Sequence, residues 1–263
     1  MFIYFLSFMI KRLIWFFCCV LFVGYSSAYI SHIGWMVAGK SISLIKVIPD
    51  TTHTLITVRS QSWTTLSNLV SSVGGIAGVN GAYFCPASYL ACWGKNTSDA
   101  NVIVSWKAYF SYGLDLGARW MFGINSSWNI EFVLNNLWYV SWITKNFNVL
   151  WLAKIQYWIA NFPVLALSGK NVLGESSSLL DIKMKTRSRK SFICVKKDLK
   201  TIVMWSVGSI TMDEFAPYII ANFSCFHAIN LDAWGSLWMI YDKKVIMKPG
   251  RFIMDAFVVI KKK

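Results

Sequence analysis

The chain is 263 residues long, 56% of them hydrophobic and only 14% charged, with a mean hydropathy of +0.47; that balance excludes a disordered or low-complexity polypeptide. Past residue 30, Lys, Arg, Asp, Asn and Ser interrupt every apolar run before it reaches the roughly 18 residues of a membrane-spanning helix, which excludes a multi-span membrane protein. The net charge of +14 favours anionic partners, but the densest basic stretch, Lys183 to Lys200, lacks the aromatic interleaving of a nucleic-acid platform and reads as a solvated face, so no nucleic-acid partner is expected.

The first 28 residues are laid out like a secretory signal. Lys11-Arg12 precedes the 11-residue apolar stretch Leu13 to Val23, and Gly24-Tyr25-Ser26-Ser27-Ala28 follows. Cleavage is expected after Ala28, giving a secreted or periplasmic protein. Met1 to Ile10 is itself apolar, so retention of the segment as a membrane anchor is the alternative. Residues 29–46 read as a connector and residues 47–263 as one domain.

Within that domain Leu55 to Val58 is strand-like, and Thr64 to Val73 reads as a short helix closed by Gly74-Gly75. Further strands are expected at Ile76–Asn80, Trp120–Ile124, Ile130–Leu134, Val164–Leu167, Ser191–Val195, Thr201–Trp205, Ala228–Leu231, Leu237–Tyr241 and Phe252–Ile260. Two more helices are expected, one inside Val149–Ala160 and one over Asp213–Asn222. Thr211 and Glu214 have capping-box spacing for the latter, although Pro217 argues for a later start. Many short strands with few helices predict an α+β fold, a single domain of mixed β-sheets with a few flanking helices.

Export permits disulfides, and Cys85 and Cys92 flank a loop short enough for a local staple, whereas Cys194 and Cys225 form a second pair or stay as buried thiols. His32, His53 and His227 have no zinc-ligand spacing relative to the cysteines, and the carboxylates show no calcium-loop spacing. Neither a metal nor a cofactor is expected.

Three segments combine small residues with polar groups at strand ends, where a backbone approaches a ligand closely. They are Gly78-Val79-Asn80-Gly81-Ala82-Tyr83-Phe84, Arg187-Ser188-Arg189-Lys190-Ser191-Phe192 and Asn230-Leu231-Asp232-Ala233-Trp234-Gly235-Ser236. With Met212 to Ala216 before the last and Pro249-Gly250-Arg251 after it, their order resembles the phosphodiester glycosidase family over residues 54–260. The first segment is similar to the family's Asn-Gly-Gly-Phe-Phe and the last to its Asn-Leu-Asp-Gly-Gly-Gly-Ser. Phe162-Pro163-Val164-Leu165 with Ser168-Gly169-Lys170 resembles its central segment.

The resemblance implies hydrolysis between an anomeric carbon and a phosphodiester, on a sugar-phosphate or phosphorylated glycan of exopolysaccharide or cell wall. An ordinary glycosidase needs two carboxyl groups. Phosphate is already a weak base and leaves without acid assistance, so one carboxylate and cations for the phosphate suffice. Among 12 carboxylates, Glu131 and Asp255 lie within strands and Glu175 in a polar loop, and only Asp232 combines a strand end, a preceding Asn and a following Gly-Ser turn. Asp232 is the expected catalytic group, as nucleophile or general base. Arg189 and Arg251 are the expected phosphate ligands, with Arg187 an alternative alignment to Arg189. Asn80 and Asn230 bond sugar or phosphate oxygens or else close Asx turns. Gly81 and Gly235 belong to the same substrate-facing turns, and Ser236 is a ligand rather than a nucleophile, lacking a nucleophile-elbow setting. The alternative function is a non-catalytic surface protein that binds anionic glycans.

Fourteen tryptophans are a heavy load, and Trp63, Trp93, Trp128 and Trp234 stand in turn-like contexts where glycine takes positive φ freely. At Trp93, Trp234 and Trp238 the family-like text reads Gly. The expectation is that UGA codons meaning glycine have been read as tryptophan; the alternative is that these rings stack on sugar faces.

Overall fold

A computed structural model describes residues 30–37, 40–85, 97–98, 102–109, 120–134, 155–174, 178, 180–248 and 250–262. In chain order the first half contains β1 (Ile30–Val37), β2 (Lys40–Val47), β3 (His53–Thr64), α1 (Leu66–Ser72), β4 (Ala77–Asn80), β5 (Phe84–Cys85), β6 (Thr97–Ser98), β7 (Val102–Val104), β8 (Lys107–Tyr109), β9 (Trp120–Asn125) and β10 (Ile130–Leu134). The second half contains β11 (Ile155–Asn161), β12 (Val164–Leu167), β13 (Lys170–Asn171), α2 (Ile182–Lys185), β14 (Ser188–Lys196), β15 (Ile202–Ile210), α3 (Met212–Phe223), β16 (Cys225–Leu231), β17 (Met239–Tyr241), β18 (Lys244–Met247) and β19 (Ile253–Lys261).

These strands form a seven-stranded sheet in the order β1-β2-β15-β14-β16-β12-β13, a five-stranded sheet β18-β17-β4-β19-β3, a second five-stranded sheet β10-β9-β11-β7-β8, and the pair β5-β6. Every strand pairing among the described residues is antiparallel. The fold is therefore richer in β than the expected α+β class with mixed sheets: a largely β single domain with three helices among the described residues. Consecutive strands joined by short turns pair antiparallel without crossover helices, which explains the shortage of helix.

Three expectations are corrected. Of the expected connector, residues 29–46, the described residues 30–37 and 40–46 are strand: β1 pairs antiparallel with β2, and β2 pairs with β15 from Ile202↔Val47 to Val207↔Ile42. Ile42, Ile45 and Val47 are buried there, so β2 is part of the core. The helix placed inside Val149–Ala160 is strand β11 over its described part, residues 155–160, hydrogen-bonded to both β9 and β7. Its β-branched and aromatic residues Tyr157, Trp158 and Ile159 suit a central strand, and tertiary pairing decides the matter. Helix α3 starts at Met212 despite Pro217: the Thr211–Glu214 capping box forms, and both Pro217 and Asp213, four residues before it, are exposed.

The helix over Thr64–Val73 forms as α1, capped by the Thr65 side chain, which accepts from the Asn68 N–H. It covers β3, β4 and β19, while α3 covers the seven-stranded sheet with Met212, Phe215, Ala216 and Ile219 buried. Cys194 and Cys225 form a disulfide between β14 and β16, with Cα atoms 5.7 Å apart. Closing a loop across a sequence separation of 31 contributes about 4 kcal/mol. Cys85 is buried at the end of β5; Cys92, its expected partner, lies outside the described residues. The N-terminal segment 1–28 lies outside them as well, and among the described residues no helix is long and apolar enough to cross a membrane.

Candidate functional site

The ends of β4 and β16 and the start of β19 converge where the seven-stranded sheet meets the sheet built on β4 and β19. Ala256 of β19 pairs with Asn80, the last residue of β4, and Ser191 of β14 pairs with Leu231, the last residue of β16. Asp232 follows Leu231 directly. Its N–H donates to the Gly81 carbonyl at 3.1 Å, and its own carbonyl accepts from the Asn80 side-chain amide and from the Ser191 hydroxyl at 2.8 Å. Three strands, β4, β14 and β16, thereby fix the backbone that carries this carboxylate.

The Asp232 side chain is 6% exposed. Oδ1 accepts from the Ala233 N–H at 2.8 Å, and Oδ2 lies 3.3 Å from Nη2 of Arg251. The Ser236 hydroxyl is shared: it bonds the carboxylate and accepts from Arg251 Nε. Burial pushes the Asp232 carboxyl up to about 6; Arg251, Ser236 and the Ala233 N–H oppose that shift, and the nearby charge of Asp255 adds to it. The group is thus an anion at neutral pH that accepts a proton more readily than an ordinary aspartate, as a general base requires.

Arg251 is the more accessible partner, with 27% of its side chain exposed. Its guanidinium lies over the Phe84 ring at 4.9 Å, its N–H donates to the Gly235 carbonyl at 3.1 Å, and its carbonyl accepts from the Trp238 indole at 3.1 Å. Residues Trp234–Ser236 form one 3₁₀ turn beside it. The residue there with positive φ is Trp234, at 55°, not Gly235; a Cβ on Gly235 meets only the Arg251 side chain at 3.7 Å.

Gly81, in contrast, is required by space. A Cβ there would stand 2.3 Å from Asp255 Oδ1 and 2.6 Å from Ile159 Cδ1. Asn80 is buried with both ends of its amide used on backbone: it donates to Asp232 O and accepts from the Trp238 N–H at 3.0 Å. In this arrangement it braces the site. Asn230 is also buried; its Nδ2 donates to the Tyr83 hydroxyl and, at 3.3 Å, to the Phe162 carbonyl, leaving Oδ1 unpartnered among the described residues. The Tyr83 hydroxyl is pushed up from its ordinary value by burial and by the charges of Asp232 and Asp181.

The structure thus gathers Asn80, Gly81, Asn230, Asp232, Gly235, Ser236 and Arg251. It does not bring Arg189 to them. Arg189 is exposed on β14 opposite a bulge of β15, at Gly208–Ser209, and Lys190 is the residue turned inward, donating to the Met184 and Thr186 carbonyls and the Ser188 hydroxyl. Arg187 is exposed too and pairs with Glu214 of the α3 cap. Among the described residues no group of three or more His, Cys, Asp and Glu could hold a metal ion. His227 packs its ring on Phe132.

The sequence gives no role to Arg59 and Ser98, and none to Asp255 beyond its place in a strand; Phe84 stands only as part of the first small-residue segment. Asp255 lies within strand β19, and its signal in the sequence is a carboxylate in a run of apolar positions, Met254 to Val259, where a charge stands only with a partner.

No protein-family model matches the chain, and no curated protein sequence does. Solved structures match the fold. The zebrafish N-acetylglucosamine-1-phosphodiester alpha-N-acetylglucosaminidase catalytic domain, auto-inhibited by its pro-peptide, superposes with a TM-score of 0.63 at 13% identity, over 89% of this chain and 82% of that one. A hypothetical protein from Synechocystis gives 0.60 at 10% identity, over 89% and 62%. A putative exported protein from Burkholderia pseudomallei gives 0.52 at 12% identity, over 84% and 74%. At these identities the likeness is one of fold.

Proposed function

We propose that the chain is an exported hydrolase that cleaves the bond between an anomeric carbon and a phosphodiester, with Asp232 as the acting carboxylate and Arg251 as the phosphate ligand. The observation that carries this reading is the pair itself: a buried carboxylate, raised toward neutrality, against a guanidinium that keeps part of its surface in solvent. Water enters and two products leave. Either Asp232 takes a proton from the water that attacks the anomeric carbon, or Asp232 attacks that carbon itself and water then hydrolyses the glycosyl ester to free sugar and carboxylate; in both courses the carbon–oxygen bond to phosphate breaks and its electron pair departs with the phosphate monoester. Arg251 neutralises that departing charge.

Fold likeness to a glucosaminidase that acts on a phosphodiester supports the reading, as do the Cys194–Cys225 disulfide and the signal-like N-terminus for export. N-terminal sequencing of the mature protein decides between release, with a start near Tyr29, and attachment through the retained apolar segment. The activity test is a panel of sugar-1-phosphodiesters. Release of free sugar and phosphate monoester is expected from the wild type, and Asp232→Asn is expected to lower kcat by about a thousandfold or more while ligand binding persists. Binding of anionic glycan with no product at any pH overturns the hydrolase and leaves a glycan-binding protein in its place.

A further inference from the structure

Asp255 is 2% exposed, and both of its carboxylate oxygens are engaged: Oδ1 accepts from the Ala82 N–H at 2.7 Å and Oδ2 from the Ser98 hydroxyl at 2.5 Å. Arg59 donates to the same hydroxyl, and its Nη1 lies 3.9 Å from Asp255 Oδ2. The Tyr109 ring lies 4.8 Å from the Arg59 guanidinium and backs it. Three chain segments thus close around one buried charge.

The corner that Asp255 anchors also touches Asp232. The Gly81 N–H donates to the Asp255 carbonyl at 3.0 Å, and the Gly81 carbonyl accepts from the Asp232 N–H at 3.1 Å. One glycine is therefore hydrogen-bonded to the backbones of both aspartates. Anchoring the corner alone requires only two acceptor atoms, which a neutral amide could in part supply. A buried carboxylate with its own arginine adds a charge, and a low-dielectric setting transmits it.

We propose that Asp255, with Ser98 and Arg59, is a positioning unit for Asp232: it holds the Gly81–Ala82 corner against Asp232 and exposes Asp232 to a second buried negative charge that Arg59 moderates. The proposal deepens the reading of Asp232 as the acting carboxylate and rests on it, but its test reads Asp232 without substrate. The groups facing Asp232 are Arg251, Asp255, Tyr83, the Ser236 hydroxyl and the Ala233 N–H. Those facing Asp255 are Arg59, the Ser98 hydroxyl and the Ala82 N–H. The charge of Asp255 raises Asp232, and Arg59 pulls Asp255 the other way.

The experiment is a carbon-13 NMR titration of protein labelled at the aspartate carboxyls, with the Asp232 resonance assigned by its loss in Asp232→Asn. Asp255→Asn is expected to lower the Asp232 midpoint by about half a pH unit or more, Arg59→Gln to raise it by a similar amount, and Arg59→Lys to leave it at the wild-type position. General loosening would admit water and lower the midpoint in every variant, so opposite displacements separate an electrostatic role from a merely structural one. If Asp255→Asn does not fold, Arg59→Gln against Arg59→Lys carries the test alone. Midpoints that move together, or do not move, overturn the proposal. Opposite displacements in a protein that hydrolyses no sugar phosphodiester leave the positioning unit standing and remove the hydrolase.

Discussion

The side-chain amide of Asn80 is hydrogen-bonded to the backbone carbonyl of Asp232, 152 residues further along the chain. Its oxygen accepts from the Trp238 N–H, so one buried side chain ties β4 to the turns on both sides of the 3₁₀ segment. Asn80→Ala leaves the buried Trp238 N–H without its acceptor and the Asp232 carbonyl with Ser191 alone, and is expected to destabilise the fold by about 2 kcal/mol. Urea unfolding measures that loss, and kcat/KM is expected to fall with it even below the unfolding transition, because Asp232 loses its brace.

The raised carboxyl of Asp232 makes a signed prediction about stability. Its value rises from the ordinary 3.8 to about 6 on folding, so the stability it contributes is present in full below 3.8 and is lost as pH rises through 6. At neutral pH the buried anion is a net cost. Asp232→Asn is expected to unfold at higher urea than the wild type at neutral pH, by on the order of 2 kcal/mol, with the advantage vanishing in acid. An inactive variant that is also less stable at neutral pH would contradict the origin assigned to the shift.

The two arginines singled out from the sequence are expected to behave differently. Arg251→Ala removes the fork against Asp232 Oδ2 and the bond to Ser236, and kcat/KM is expected to fall about a hundredfold or more. Without the guanidinium the Asp232 carboxyl rises further, so the acid limb of the pH–rate profile moves to higher pH. Arg189→Ala, at an exposed position of β14, is expected to leave kcat/KM within about twofold of wild type.

Trp106 and Trp234 sit at φ 73° and 55° and are about half exposed, a left-handed backbone combined with an indole that packs little. Replacing either by glycine is expected to stabilise the fold by about 1 kcal/mol in thermal or urea unfolding. Trp128, at φ 63°, shares the strain but stacks on Tyr157, so its balance is closer to zero. Trp238, buried and bonded through its indole to Arg251 O, is expected to lose about 3 kcal/mol as glycine. The indole N–H groups of Trp63, Trp158 and Trp205 are buried without partners among the described residues, which is unusual for a native indole. We propose that the positive-φ tryptophans are glycines encoded by UGA. The codons test it, and UGG at position 234 ends it.

Local chemistry was legible. The helix over Thr64–Val73, the Thr211–Glu214 capping box and the β-branched strands follow from side chains acting on their own backbone a few residues away, as does the strand-end placing of Asp232 beside small residues. What the chain could not announce is whatever depends on partners distant in sequence. A helix is expected inside Val149–Ala160, but β7 and β9 flank residues 155–160 and make them a strand, and residues 29–46 read as a connector until β15 supplies an edge. Asp255 is one carboxylate in an apolar strand until Ala82, 173 residues earlier, brings its N–H to it. Arg189 and Arg251 are equivalent cations on paper; in the folded sheet Arg189 faces solvent and its neighbour Lys190 faces inward, while the turn before β19 lays Arg251 against Asp232. A side chain's chemistry is local, but its electrostatic neighbours are chosen by strand register, and register is a property of the whole sheet.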